Sequence, residues 1–300
     1  MPTPIVYVTT WCKDVRLLYG STLVFQSISV GFPNSQVVVI ENASVKEARA
    51  AIVEAARAAG CTIRLLDTEL PHWKIIESLC LSESRPFVVL DPDIALWESV
   101  EDWEFGGALM AGRFMTSNVP TPRLYNVPRL HSSHLWFPHP ARLRDRISSI
   151  LPPGASSAKL FQPGRMPCGL FWDTADVLYL ALGADTACFT EAQLDCYDHL
   201  FAGSYLPDLQ KTAGFEMGDA VAGWHAAART DYRLLKGSWR KQQQMLESVP
   251  WSCAMAQRPW RSEVLAYALK FGWLDRLRSR VRGQRHRGMK ARADEMSLTA

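Results

Sequence analysis

Residues 85–97 read Arg85-Pro86-Phe87-Val88-Val89-Leu90-Asp91-Pro92-Asp93-Ile94-Ala95-Leu96-Trp97. An apolar strand runs into two aspartates separated by a single proline, and a second apolar turn follows. Strand alternation sends Asp91 and Asp93 to the same side. Two carboxylates held side by side repel each other, so a pair at a strand end calls for a cation between them. The competing reading is a solvated turn in which an aspartate caps the next segment.

Upstream, Ile5 to Thr10 reads as a buried strand bounded by Pro4 and the polar turn Trp11-Cys12-Lys13-Asp14. Leu17, Leu18, Ser21, Val24, Phe25 and Ile28 follow helical spacing, with Gly31 and Pro33 ending the helix. Gln36 to Ile40 is a second strand. Ser44 and Glu47 have capping-box spacing, and Val45, Ala48, Ile52, Ala55 and Ala59 make the inward face of the next helix. Thr62 to Leu66 is a third strand, and His72 to Ser82 a further helix. The order β-α-β-α-β-α-β, with short connections, predicts an α/β fold whose mostly parallel sheet is covered by helices on both faces. Ligands of such sheets bind beyond the carboxyl ends of the strands. Here those ends are Thr9-Thr10-Trp11, Glu41-Asn42, Asp67-Thr68 and Asp91-Pro92-Asp93. No glycine-rich phosphate loop follows the first strand, which argues against dinucleotide-dehydrogenase and P-loop readings.

Downstream, Gly107 to Arg113 is an expected strand, and the Pro-rich, polar stretch Thr116 to Pro128 an expected loop over the site. A strand from the His131 region to Pro138, a helix over Arg142 to Ile150 and a strand over Gly169 to Asp173 follow. Helices are expected over Asp176 to Leu182 and Glu191 to Phe201, and most of Gln242 to Arg280 reads as helical. His131, His134 and His139 lie across a strand and a proline at spacings of 3 and 5, which favours packing or acceptor-facing roles over a metal cluster.

The seven cysteines form no CxxC pair and no zinc spacing, and several sit among apolar residues, as reduced thiols do. No run approaches the roughly 18 to 20 apolar residues of a spanning helix. Met1-Pro2-Thr3-Pro4, followed at once by a strand, has neither a basic n-region nor an apolar h-region. A cytoplasmic protein is the expectation. Charge is uneven: between Arg276 and Arg292 stand eight Lys or Arg residues and no acidic one. Such a run suits polyphosphate backbones or anionic lipid headgroups, or is a solvated tail.

At this point the chain resembles the GT-A glycosyltransferases that use nucleotide sugars, over roughly residues 4 to 240. The DxD motif Asp91-Pro92-Asp93 after three strand-helix units anchors the likeness. Phe189 to Phe201 is similar to the DQDxLN helix of glycogenin-like transferases, with Glu191-Ala192-Gln193 where that family has Asp-Gln-Asp. Trp224-His225 is where the family often places a late histidine. The resemblance implies a Rossmann-like GT-A fold over 1–240 (donor half about 1–100, acceptor half about 101–240), a helical extension over 241–275 and a basic tail over 276–300. It implies Mn²⁺ or Mg²⁺ on Asp91, Asp93 and His225. Donor contacts would come from Thr9, Thr10, Trp11, Glu41 and Asp67 besides the two aspartates. Arg165 and Lys236 are further candidates for the diphosphate.

A carboxylate within reach of the acceptor hydroxyl is needed for an inverting transfer. On a helix over 191–201, Asp195 and Asp198 share a face and Glu191 is one turn away. Asp195 is the first candidate and Glu191 the second. The leading expectation is therefore a metal-dependent hexosyl- or pentosyltransferase. Its acceptor is either a cell-surface glycan or lipid, at the inner membrane face, or a modified base in DNA, with the basic run 276–292 as the attachment. The alternatives are a nucleotidyltransferase, which would carry a glycine-rich basic loop after the first strand, and a non-catalytic nucleotide- or nucleic-acid-binding protein on a degenerate transferase fold.

Overall fold

The β-branched and aromatic segments picked out above build a seven-stranded sheet. A computed structural model describes residues 2–115, 125–168, 170–200, 218–247 and 260–271. In chain order its strands are β1 (Ile5–Thr10), β2 (Gln36–Asn42), β3 (Thr62–Leu66), β4 (Phe87–Leu90), β5 (Ile94–Leu96), β6 (Met110–Met115), β7 (Tyr125–Asn126), β8 (Arg129–Phe137), β9 (Gly164–Arg165), β10 (Leu170–Trp172), β11 (Thr186–Cys188) and β12 (Tyr197–His199). The main sheet has the order β3-β2-β1-β4-β8-β6-β11. Strands β3, β2, β1 and β4 are mutually parallel, and β8 enters antiparallel to both β4 and β6. Strand β11 is parallel to β6. The expected mixed, mostly parallel sheet is what the chain builds.

Both faces of the sheet are covered, as the unbroken apolar strands require. Along β1, Ile5 and Tyr7 enter one core and Val6 and Val8 the other. The first core packs under helices α2 (His72–Ser82), α3 (Pro140–Ile150) and α4 (Asp176–Leu182) through Ile75, Ile76, Leu143, Ile147, Val177 and Leu178. The second packs under helix α1 (Lys46–Ala58) and the turns before β2, through Ala48, Ile52, Val24 and Ile28. Each such fully buried aliphatic side chain contributes about 1.5–3 kcal/mol. At the sheet edge β3 is an exception: Leu65 is exposed, so this strand lacks the two-sided burial of its neighbours.

Four local expectations change. The single helix over Leu17 to Ile28 is instead a series of short helical turns from Val15 to Gly31. Ser21 and Thr22 turn their hydroxyls back to Leu17 and Leu18 carbonyls, and the Val24 amide leaves the helix to bond Pro92 O at 2.9 Å. Ser44 makes no capping box, because its hydroxyl accepts the Cys12 amide at 2.9 Å. The helix expected over Glu191 to Phe201 is one turn, Glu191–Asp195, with a capping box from Thr190 and Gln193. The chain then becomes β12, which pairs antiparallel with β5. Finally, Ile94–Leu96 is a strand rather than a turn, and Gly31 makes room for it. A Cβ on Gly31 would lie 2.5 Å from Leu96 Cδ1.

Among the described residues beyond 230, helix occupies Ser238–Glu247 and Trp260–Ala266. Of the loop expected over Thr116 to Pro128, residues 116–124 lie outside the described residues, as do Gly203 to Pro207 and the basic run 276–292, while Tyr125–Asn126 is strand β7 instead of loop. No helix among the described residues is long and apolar enough to cross a membrane.

Candidate metal and donor site

The turn after β4 is tied by its backbone to three separate elements. The Asp91 amide donates to Ser133 O of β8 at 2.8 Å, Pro92 O accepts the Val24 amide, and Asp93 O accepts the Leu200 amide at 2.9 Å. The backbone that carries both carboxylates is thus held at three points. Asp91, Asp93 and His199 each offer one ligand atom, and these atoms lie within 4.8 Å of one another. His199 Nε2 is 3.1 Å from Asp93 Oδ1, and both side chains are almost wholly buried. His72 Nε2, at the start of α2, stands 3.8 Å from Asp91 Oδ1, beyond hydrogen-bond range, and this buried atom has no hydrogen-bond partner among the described residues.

The electrostatics of this cluster are those of charges asking for compensation. Burial pushes the Asp91 carboxyl up to about 6; His72 pulls the other way, and the Asp93 charge adds to the rise. For His199 burial disfavours the charged ring, but the charge and hydrogen bond of Asp93, with Asp91 behind it, raise its pKa. His131, whose ring lies 5.1 Å from that of His199, is held neutral by burial and by the neighbouring cations. Two carboxylates and an imidazole form an oxygen-rich donor set with one nitrogen, and their mutual repulsion is relieved by a divalent cation. The residues present therefore fit a metal.

His225, the expected third ligand, is not in this group. It is buried on helix α5 (Gly218–Thr230), and its Nδ1 shares a hydrogen bond with the Tyr19 hydroxyl, which also accepts from Arg229 at 3.4 Å. His199 was legible only as a histidine beside an aspartate in a segment read as helix. Its role depends on the pairing of β12 with β5, which sets His199 opposite Ile94 and next to Asp93. Of the other histidines, His134 accepts the Trp136 indole N–H at 3.0 Å and is pushed down to about 3 by burial, and His139 bonds Gly106 O at 2.8 Å. Neither belongs to the Asp91–Asp93–His199 group.

The donor-side candidates divide. Thr9 is buried, and its hydroxyl has no partner among the described residues. The Thr10 hydroxyl donates to Ile40 O at 3.4 Å. Trp11 is half-buried beneath Lys13, whose Nζ lies 4.0 Å from the ring centroid. Glu41 is fully buried and spent on structure: it accepts the Ser44 amide at 2.7 Å and pairs with Arg49. Asp67 is exposed at the end of β3.

On the acceptor side, Asp195 accepts from Trp239 Nε1 at 3.0 Å and pairs with Arg240 at 2.7 Å, and the Arg240 hydrogen bond holds its carboxyl below the usual range. Glu191 is exposed, 3.9 Å from Arg240. Asp198 is wholly buried. A carboxylate that the sequence reading passed over, Asp173, lies within electrostatic reach of Asp91 and is half exposed. It is paired with buried Arg129 at 3.3 Å, which also reaches buried Asp176 at 3.4 Å. Burial pushes Asp176 up to about 7, against the pull of Arg129. The backbone holding these two aspartates is special: Ala175 has a φ of +62°, a left-handed turn without glycine.

No protein-family model matches the chain, and no curated protein sequence matches it either. Solved structures similar to it include the bifunctional glycosyltransferase WbbM, at 12% identity and a TM-score of 0.41 over 63% of this chain, which spans 39% of the length of WbbM. The galactosyltransferase LgtC, in complex with donor and acceptor sugar analogues, is 11% identical with a TM-score of 0.41, over 74% of this chain and 95% of its own. A nucleoside-diphosphate-sugar pyrophosphorylase from Vibrio cholerae is 12% identical with a TM-score of 0.40, over 69% of this chain and 98% of its own. The first two are glycosyltransferases, the class the sequence resembles. At these scores the likeness decides nothing by itself, and the functional reading stands on the side chains described above.

Proposed function

We propose that the chain is a glycosyltransferase that takes a nucleotide-diphosphate sugar as donor, with Asp91, Asp93 and His199 holding a divalent cation, Mn²⁺ or Mg²⁺. The observation that carries this reading is the Asp91–Asp93–His199 set, with Asp93 and His199 buried and Asp91 half-buried, at the carboxyl end of a parallel strand. His199 takes the place given to His225 on sequence grounds, and its nitrogen favours Mn²⁺ over the harder Mg²⁺. When bound, the cation neutralises the charge that develops on the leaving diphosphate, and so acts most strongly in the transition state.

The chain's own residues do the rest of the work in this reading. Asp91 and Asp93 orient the diphosphate end of the donor through a turn fixed at three backbone points. His72 Nε2 beside Asp91 and the Thr9 hydroxyl have no hydrogen-bond partner among the described residues; the first supplies a hydrogen-bonding group to the same end, and the second serves the nucleoside with the Trp11 ring. Asp67, exposed at the end of β3, is a further donor contact, whereas Glu41 supports the loop that carries Ser44. Asp173 is placed for sugar hydroxyls, since it keeps a solvent-facing carboxylate near Asp91. The acceptor is a glycan, a lipid or a modified base in DNA, and the base that receives its proton is proposed to be Asp195 or Glu191 only after release from Arg240.

A thermal-shift screen of nucleoside diphosphates and nucleotide sugars, with and without Mn²⁺, tests the proposal. Stabilisation by one nucleotide series that needs Mn²⁺ and is lost in Asp93→Ala is the expected result. Absence of metal-dependent stabilisation by every nucleotide would sink it. Turnover of a nucleoside triphosphate with a sugar phosphate, and none of a nucleotide sugar, would instead identify a nucleotidyltransferase.

A further inference from the structure

Asp198 precedes His199 on β12, and alternation along a strand sends the two side chains to opposite sides. His199 faces Asp93. Asp198 faces the C-terminal segment, where it is fully buried and accepts four hydrogen bonds. Its Oδ2 takes the Trp97 indole N–H at 2.7 Å and the Gly237 amide at 2.6 Å, and its Oδ1 takes the Ser238 hydroxyl at 3.0 Å and the Trp239 amide at 2.7 Å. The carboxylate therefore caps the start of helix α6 (Ser238–Glu247) while gripping Trp97, the residue that follows β5.

The same helix holds the other side of the histidine. Gln242, one turn further on and fully buried, donates through Nε2 to His199 O at 2.6 Å. Its Oε1 accepts from Arg113 of β6 at 3.3 Å, so the amide is itself oriented. The backbone on both sides of His199 is thus held: the Asp198 side chain before it, the His199 carbonyl by Gln242, and the Leu200 amide by Asp93 O at 2.9 Å.

We infer that Asp198 and Gln242 are positioning residues that set the His199 imidazole against Asp93, so that cation affinity is governed by the docking of helix α6 on β12. This rests on the metal reading above and deepens it. A ligand fixed beforehand binds more tightly because its ordering cost is already met when the cation arrives, and partners outside the coordination shell are generally worth about 10–100-fold in affinity. Asp198 suits a test because three of its four partners are N–H groups that can only donate. Asparagine, with one acceptor oxygen and an NH₂, must turn its NH₂ toward at least one of them.

The experiment is a titration of the full chain with Mn²⁺ alone, following the electron paramagnetic resonance signal of the free ion, with metal-free melting recorded in EDTA for each variant. Asp198→Asn is expected to weaken Mn²⁺ binding about tenfold or more, and Gln242→Met by several-fold. Ile147→Ala, in the core beneath the other face of the sheet, is expected to lower the melting temperature and leave Mn²⁺ affinity unchanged. Should Asp198→Asn fail to fold, Gln242→Met carries the test. Variants that melt earlier but bind Mn²⁺ within twofold of the parent would overturn the positioning role and leave the metal reading standing. A parent protein that binds no Mn²⁺ would overturn both.

Discussion

Consider Mn²⁺ added to the protein at about 100 times its dissociation constant. Binding to the native state alone then stabilises it by about 2.7 kcal/mol. With an unfolding entropy of about 2.1 cal/mol/K per residue, a chain of 300 residues gains roughly 1.6 °C of melting temperature per kcal/mol, so the expected rise at pH 7.5 is about 4 °C. The pH dependence follows from Asp91, whose carboxyl burial pushes up to about 6. At pH 5 only about a tenth of it is ionised, so the same Mn²⁺ concentration stands nearer 10 dissociation constants. The increment falls to about 1.4 kcal/mol, or about 2 °C. In EDTA the sign reverses. A carboxyl whose folded pKa exceeds its unfolded value binds its proton more readily in the native state, so this group adds stability as pH falls from about 6 toward 4. Differential scanning calorimetry in EDTA and in Mn²⁺, at pH 7.5 and pH 5, measures both trends. An Mn²⁺ increment equal at the two pH values, or one that survives Asp93→Ala, would refute the assignment of the cation to this carboxylate pair.

Two further predictions concern carboxylates outside the cluster. Asp195→Asn removes the first candidate for the acceptor base and is expected to cost about a hundredfold or more in kcat at unchanged melting temperature; activity largely kept would instead show that Arg240 and Trp239 hold this carboxylate in a structural role and leave Glu191 as the base. Arg129→Ala leaves buried Asp176 without its cation and is expected to cost about 3–5 kcal/mol. Melting at pH 7.5 should fall by roughly 5–8 °C. Part of that loss should return at pH 5, where Asp176 is protonated and neutral.

Outside residues 15–31, most elements of the first hundred residues were legible because each buries a surface that its own pattern defines. Continuous burial along β1 and β4 and 3.6-residue spacing in α1 and α2 match the elements that form. Residues 15–31 defeated the helical reading because their spacing suits a helix while Ser21, Thr22 and Ser27 offer the backbone other hydrogen bonds. Residues 191–201 defeated it more seriously. Thr190 and Gln193 cap a helix, and nothing local ends that helix after one turn. What ends it is β5, which offers Tyr197–His199 a ladder of partners from a segment about a hundred residues earlier.

By itself the sequence determined the order of the parallel strands' connections, the position of Asp91 and Asp93 at a strand end, and the need of that pair for a positive partner. These follow from short-range pattern and from like-charge repulsion, which require no distant residue. Only the tertiary structure decided which histidine stands beside the pair, and which candidate carboxylates are free. His199 and His225 are chemically equal in the chain, and Asp195, Asp198 and Glu41 look as available as Asp67. Pairing of β12 with β5 carries His199 to Asp93, while Tyr19 takes His225. Arg240, helix α6 and Arg49 engage Asp195, Asp198 and Glu41. Such assignments depend on contacts between residues far apart in sequence, and a local pattern carries no information about them.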